Sequence, residues 1–284
     1  MYDDDLTIAV MSRDDLEYAV ALAAAEGWNP GLHDADAFYA TDSAGFFIAR
    51  LGDEPVGCVS AVAYPGGFGF IGMYIVHPEH RGKGYNRPLT AAALAHLAGH
   101  TIGVDGVFHM QANYRRFGFE FAYRNLRYEV AAVHGEPGSD VELVAASEID
   151  FAELLGYDAT CFPVAREAFL RAWLALPESL ALAARVDGRL AGYGQIRRCR
   201  QGYKIGPLFA DSPTAAEALY LGLSQYATAG EPVYLDVPEC NAEAMALAAR
   251  HGMREVFGTA RMYAPTVPSI ALARVYGVTT FELG

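Results

Sequence analysis

Apolar and polar residues along the chain fall into a recurring series of short strands and amphipathic helices. FFIARLGDEPVGCVSAVAY, residues 46–64, is two β-rich runs around a Gly-Asp-Glu-Pro turn, which predicts a hairpin. FGFIGMYIV, 68–76, predicts a further strand, and PLTAAALAHLAG, 88–99, a helix rich in alanine and leucine. TIGVDGV, 101–107, reads as a short strand and AYRNLRYEV, 122–130, as the closing strand of this half. Upstream, SRDDLEYAVALAAAEG, 12–27, predicts a helix with Ser12 as N-cap and Asp15 three residues on.

The same series is written twice. ARLGDEPVG (49–57) matches ARVDGRLAG (184–192), FIGMYIV (70–76) matches KIGPLFA (204–210), and YRRFGF (114–119) matches AARHGM (248–253). Arg50 falls on Arg185, Gly72 on Gly206 and Gly118 on Gly252, a near-constant register over three separated segments. Between the copies AVHGEPGSD, 132–140, is polar, with two glycines and a proline. The expected organisation is a first domain over 1–131, a linker over 132–140 and a second domain over 141–284. Each domain is expected to be of the α/β (α+β) class, a mixed, largely antiparallel sheet with flanking helices.

Charge narrows the function. A formal net charge of −13 and a pI near 5.0 argue against a nucleic-acid surface, which needs a basic face. No apolar run approaches the roughly 20 residues needed to cross a bilayer. The start, Met-Tyr-Asp-Asp-Asp, lacks the basic character of a secretion signal. The expectation is a cytoplasmic protein without membrane or nucleic-acid partners. Cys58, Cys161, Cys199 and Cys240 lack ligand spacing, so no metal is expected and reduced thiols are.

Against this acidic background one cationic turn stands out: HPEHRGKGYNRPL, 77–89. Its glycines allow close backbone approach and φ > 0, and the N–H groups of the following helix start converge on one spot where the dipole favours an anion. Arg81, Lys83 and Arg87 add full positive charges. A diphosphate fits such a turn. In the second copy the register places helix formers, AAEALY (215–220), at this position, without glycine or cation. The architecture therefore does not require the glycines, and they point to function. The other basic run, RRCRQGYK (197–204), is expected to be a solvated hairpin.

These residues resemble the GNAT superfamily of N-acetyltransferases. The likeness rests on Val76-His77-Pro78, on the Arg/Gln-x-x-Gly-x-Gly/Ala loop beginning at Arg81, and on Tyr114-Arg115-Arg116-Phe117-Gly118-Phe119. It covers about Leu6–Val130. The second half resembles the same fold in degenerate form, with segments such as LDVPECNAEAMALAARHGM and YGVTTFELG similar to the C-terminal domain of tandem YitH-like enzymes. Asn86 stands where the loop usually ends in glycine or alanine. Val107 and Met110 replace an Asn-x-x-Ala that the second half keeps as Asn241 and Ala244, while Ala248 stands there in place of the tyrosine.

The resemblance implies one acetyl-CoA site, in the first half, and direct acetyl transfer to an amine, that of a small molecule. Tyr74, Ile75 and Val76 would bind pantetheine, and Arg81, Gly82, Lys83, Gly84, Tyr85, Asn86 and Arg87 the diphosphate. Tyr114 would be the general acid that protonates the leaving thiolate. EGWNPGLHDADAFYATD (26–42) would line the acceptor pocket, with Glu26 and Trp28 as substrate contacts and His33, Asp34 and Asp36 nearby. Asp105 is a further candidate, and no base is assigned. Two other readings stay open: a non-catalytic acyl-CoA sensor and a protein-modifying acetyltransferase. A homodimer is compatible with each.

Overall fold

The computed structural model describes residues 5–132, 135 and 140–284. The expected linker at 132–140 lies largely outside the described residues. Before it come β1 (Leu6–Val10), α1 (Arg13–Ala25), α2 (Asp34–Thr41), β2 (Phe46–Leu51), β3 (Glu54–Tyr64), β4 (Phe68–Val76), α3 (Asn86–His96), β5 (Thr101–Val107), α4 (Gln111–Arg115) and β6 (Glu120–Ala131). After it come β7 (Glu142–Ala145), α5 (Phe151–Cys161), α6 (Glu167–Leu174), β8 (Ser179–Val186), β9 (Arg189–Arg198), β10 (Tyr203–Ala210), α7 (Pro213–Ser224), β11 (Pro232–Pro238), α8 (Ala242–Arg250), β12 (Arg254–Ala264) and β13 (Val275–Gly277).

Local chemistry sets these boundaries. Ser12 Oγ accepts from the Asp15 N–H at 3.1 Å, and Asp15 Oδ2 accepts from the Ser12 N–H at 2.9 Å, closing the start of α1 in a capping box. The repeated turn words close two hairpins, β2–β3 and β8–β9. The second turns through Asp187 and Gly188, both at positive φ (51° and 73°).

All the strands form one mixed, mostly antiparallel sheet with flanking helices. The order is β1-β2-β3-β4-β5-β12-β6-β11-β10-β9-β8-β7, with β13 on β10. The parallel pairings are β4 with β5 and β10 with β11. The last long strand, β12, enters between β5 and β6, with Thr259 opposite both Val107 and Asn125. The strand expected to close the first half, β6, instead pairs on both sides with strands from beyond residue 140. Alternation explains the fit: Ala260 and Met262 enter the core with Leu89 and Val104, while Arg261 and Tyr263 face the opposite side.

Charged side chains also cross the junction. Arg127 on β6 makes two hydrogen bonds to Asp236 on β11, at 2.7 and 2.8 Å, and both are buried. The run 197–204 is a hairpin as expected, joining β9 to β10, but it is not a solvated one. Arg197 and Lys204 are 2% and 1% exposed. Alternation turns both inward, where acceptors from residues 28–34 meet them.

Candidate coenzyme and acceptor site

The central feature is a parting of strands. The ladder between β4 and β5 runs from Phe68–Thr101 to Ile71–Val104 and stops. Beyond it, β4 keeps only β3 as a partner, with Cys58 opposite Ile75 and Gly57 opposite Val76. The parting coincides with a bulge: the β3–β4 register shifts between Cys58 and Ser60, and Met73 takes φ of 41°. Cys58 Sγ donates to the Met73 carbonyl at 3.1 Å, and burial pushes this thiol up to about 12, so it stays protonated. The unpartnered edge at Tyr74, Ile75 and Val76 borders an outer groove that Arg81, Gly82, Gly84 and Asn86 complete.

In the cationic turn Gly82 and Gly84 both adopt left-handed φ, 78° and 89°. Asn86 is the first residue of α3 and needs no unusual φ, so the ordinary residue at this departure from the family pattern fits. Tyr85 is buried in the core, leaving its backbone at the helix mouth. Lys83 is exposed, with Nζ 3.4 Å from His80 Nδ1, and Arg87 borders a second groove against α4. Arg81 is held by the Val76 carbonyl and by Glu26.

No side chain caps α3, and its first turn carries no acid. The contrast with α7 is direct. There Ser212 accepts from the Ala215 N–H at 3.2 Å, Pro213 occupies the first turn, and residues 211–212 alone join strand to helix, against 77–85 in the first copy. Of two equivalent helix starts, one is closed by its own side chain and the other is open behind glycines and cations.

Tyr114 stands between the second groove and an inner pocket, bordering both. Its ring lies against Gly106 of β5: a Cβ there would sit 2.4 Å from Tyr114 Cε2. Phe119 packs on it edge-on, with ring centroids 6.0 Å apart. Burial raises the phenol well above its ordinary value, with Tyr74 and Asp105 adding to the effect. The hydroxyl is therefore protonated throughout the physiological range. Tyr74 braces the site by donating to the Asn86 carbonyl at 2.9 Å and pairing with Thr90 Oγ1 at 2.7 Å.

The inner pocket is mostly apolar, walled by Trp28, Val107, Phe257 and Phe281. Its polar members are Asp105, Thr259 and Glu282. Asp105 is already engaged, accepting from Arg261 at 2.9 and 2.6 Å and from Asn125 at 2.9 Å. Thr259 Oγ1 and Glu282 Oε1 are buried without a hydrogen-bond partner. Glu26 lies in the outer groove with Arg81, whereas Trp28 borders both spaces. Asp34 is buried in an ion pair with Arg197, Asp36 pairs with Arg13 on the surface, and His33 meets Glu178.

Sequence reasoning placed no role on Thr259, Phe281 or Glu282. The pattern identifies 254–264 as a strand but not its insertion beside β5. The closing segment matched a family by likeness alone. In the second half, Asn241 caps α8 through the Glu243 and Ala244 N–H groups and donates to the Val275 carbonyl at 2.9 Å, a structural role. Ala248 is buried in that helix. Among the described residues no group of three or more His, Cys, Asp or Glu could hold a metal ion, and no helix is long and apolar enough to cross a membrane.

A parted β4–β5 pair with an open helix start at its mouth suits the transferase family that the sequence resembles. Comparison with known families agrees: a model for the acetyltransferase (GNAT) family matches residues 13–119, and one for an acetyltransferase (GNAT) domain matches residues 154–277. The chain belongs to the GNAT acetyltransferases and carries the domain twice. The holothin acyltransferase of Pseudoalteromonas sp. (strain SANK 73390) is 29% identical over 265 residues, covering 92% of this chain and 89% of that protein. A putative acetyltransferase from Pyrococcus horikoshii has the same fold, with a TM-score of 0.84 at 23% identity over 100% of this chain and 98% of that one. A tandem GNAT protein from the clavulanic acid biosynthesis pathway superposes with a TM-score of 0.62 at 15% identity, covering 93% and 99%.

Proposed function

We propose that the protein is an acetyl-CoA-dependent N-acetyltransferase that transfers acetyl directly to the amine of a small molecule. The two domains would be those expected, 1–131 and 141–284, with a single coenzyme site in the first. The observation that carries this reading is the uncapped start of α3 behind left-handed Gly82 and Gly84, in a turn that carries Arg81, Lys83 and Arg87, against the Ser212-capped α7. An uncapped helix start with added positive charge favours a dianionic group.

Each residue then has a task. Backbone N–H groups from Gly82 to Asn86 hold the diphosphate, with Lys83 and Arg87 supplying charge, the Arg87 N–H itself being taken by the Gly84 carbonyl at 3.0 Å. The free edge of Tyr74–Val76 pairs with the amide groups of pantetheine as a partner strand would. A backbone N–H on the same edge, beside the bulge, stabilises the oxyanion that forms on the thioester carbonyl, an effect on the order of 3 kcal/mol. Tyr114 gives its proton to the departing thiolate. Burial raises the phenol, but it raises the basicity of a thiolate leaving in the same pocket too, so the transfer stays feasible.

The pocket's apolar, aromatic walls favour an acceptor with a compact apolar body and one amino group. An enclosed pocket suits a small molecule better than a protein segment. The test is thiol release from acetyl-CoA over a panel of amines, with the Tyr114→Phe variant beside the wild type. The expected result is amine-dependent release that falls about 100-fold in the variant while calorimetric affinity for acetyl-CoA is unchanged. Coenzyme binding without release for any amine would instead make this a coenzyme sensor.

A further inference from the structure

The second domain's closing segment reaches into the first domain at the point where β4 and β5 part. A Cβ on Gly72, next to the bulge at Met73, would lie 2.0 Å from the Glu282 carbonyl oxygen. Only a glycine lets the two backbones approach so closely. The segment is fixed along its length: Tyr64 donates to the Leu283 carbonyl at 3.0 Å, Arg166 to Thr279 Oγ1 at 2.8 Å, and the Val278 N–H to the Asp236 carbonyl at 2.8 Å. The Arg127 guanidinium lies 4.8 Å from the Phe281 ring centroid. Residue 282 is therefore rigidly delivered to the inner pocket.

What it delivers is a carboxylate with one free oxygen. Thr280 Oγ1 donates to Glu282 Oε2 and accepts from the Glu282 N–H at 3.0 Å. Glu282 is 3% exposed, and its Oε1 has no partner. An unpartnered buried acceptor is unfavourable, more so when charged, unless a ligand supplies a donor. The other candidates are occupied: Asp105 by Arg261 and Asn125, Glu26 by Arg81. Buried charges stand nearby. Glu282 acts electrostatically on buried Arg127, Arg197 and Lys204, whose buried acidic partners are Asp236 and Asp34.

We propose that Glu282 is the carboxylate that receives the acceptor's amino group and takes a proton from its nitrogen during acetyl transfer. This rests on the N-acetyltransferase reading and extends it by placing one catalytic group of the first domain's site on the second domain. In the transfer the neutral amine's lone pair forms the C–N bond to the thioester carbonyl carbon, and the C–S bond breaks. One proton leaves nitrogen for Glu282, and one passes from Tyr114 to sulfur. Solvent then returns a proton to the Tyr114 oxygen and removes one from Glu282, so the sum is amine plus thioester giving amide plus thiol. Thr259 Oγ1, the other unpartnered polar atom of the pocket, offers the nitrogen a second acceptor.

The experiment compares wild type, Glu282→Gln and Glu282→Asp with an alkylamine and with an arylamine, which is uncharged at neutral pH. Glutamine keeps the shape and loses the charge. The expected result is a fall of about 100-fold in kcat/KM for the alkylamine in Glu282→Gln, with the KM for acetyl-CoA within about twofold of wild type. The arylamine should lose less, and aspartate should restore part of the loss. Wild-type kcat/KM for the alkylamine in a folded Glu282→Gln protein overturns the proposal, as does equal affinity of the two proteins for the alkylamine in calorimetry without coenzyme. A wild type that fails to bind acetyl-CoA in a separate titration defeats the acetyltransferase reading itself. The amine-affinity ratio still decides whether Glu282 is the amine's partner.

Discussion

Arg197 on β9 holds Asp34 at the start of α2 by two hydrogen bonds, 2.8 Å from Nε and 3.1 Å from Nη2, with both side chains buried. The same hairpin sends Lys204 to the Asn29 carbonyl at 3.0 Å, and Arg127 reaches the Trp28 carbonyl at 2.6 Å. The segment whose Trp28 forms one wall of the inner pocket is thus pinned by buried cations, two of them from the second domain. Removing one partner of a buried pair strands the other. Arg197→Met should cost about 3–5 kcal/mol, read as a lowered urea midpoint. Arg197→Met with Asp34→Asn should recover part of that loss, and neither change should alter affinity for acetyl-CoA. A single variant as stable as wild type would show that the pair contributes nothing.

Gly106 gives an independent handle on Tyr114, because the tyrosine ring occupies the space a side chain there would need. Gly106→Ala pushes the ring off β5 while leaving its hydroxyl chemistry intact. The expected outcome is a fall in kcat approaching that of Tyr114→Phe, together with about 1–3 kcal/mol of lost stability from overpacking. Measuring kcat and thermal midpoint for both variants separates position from acidity. An unchanged kcat in Gly106→Ala would mean that the ring's placement does not matter to turnover.

The local elements were legible because periodicity and turn chemistry act over a few residues: Ser12 and Asp15 close α1, and Asp187-Gly188 closes a hairpin. The loop was legible because cations and glycines at 81–87 break the pattern that the second copy keeps. What stayed hidden was partnership. Alternation marks 120–131 and 254–264 as strands, yet says nothing of β12 lying between β5 and β6. The inner pocket suffers most, since Thr259 reaches it through that exchange and Phe281 and Glu282 through the segment after β13. Burial of Arg197 and Lys204 was hidden for the same reason: their acceptors are in the other half, at Asp34 and Asn29.

Glu26 lies in the outer groove, paired with Arg81, and this distinguishes two roles for it. A carboxylate beside a diphosphate repels it, so Glu26→Ala should leave acetyl-CoA affinity equal or up to about tenfold tighter, with the KM of the amine unchanged. As a direct contact for the amine, Glu26 would give the opposite pattern on truncation: a raised amine KM and unaltered coenzyme binding. Calorimetry with acetyl-CoA and steady-state kinetics in the amine decide between them.

Gly82 lines the outer groove, the proposed coenzyme site. Its φ of 78° is one that residues with a Cβ seldom adopt, and the space around it is open, so alanine meets backbone strain without a clash. Gly82→Ala should weaken acetyl-CoA binding by about tenfold, roughly 1.4 kcal/mol, as the loop relaxes away from its N–H arrangement. The thermal midpoint should barely move, since Gly82 is exposed and outside the core. Unchanged affinity would remove the loop's backbone from the binding site.

Acid stability tests the buried pair at the junction of the two domains. Burial raises the Asp236 carboxyl, but the charge and hydrogen bonds of Arg127 outweigh it, and the net result is a value below the ordinary one of 3.8. A carboxylate held lower in the folded than in the unfolded chain binds fewer protons when folded. Its contribution is therefore complete above about pH 4–5 and is lost as pH falls through the folded value, below 3.8. Urea midpoints for the wild type should fall steeply between about pH 5 and pH 3. Asp236→Asn, already less stable at pH 6 because Arg127 is stranded, should fall less steeply over the same interval. Parallel declines in the two proteins would mean that Asp236 titrates alike in both states and that its pairing with Arg127 contributes no pH-dependent stability.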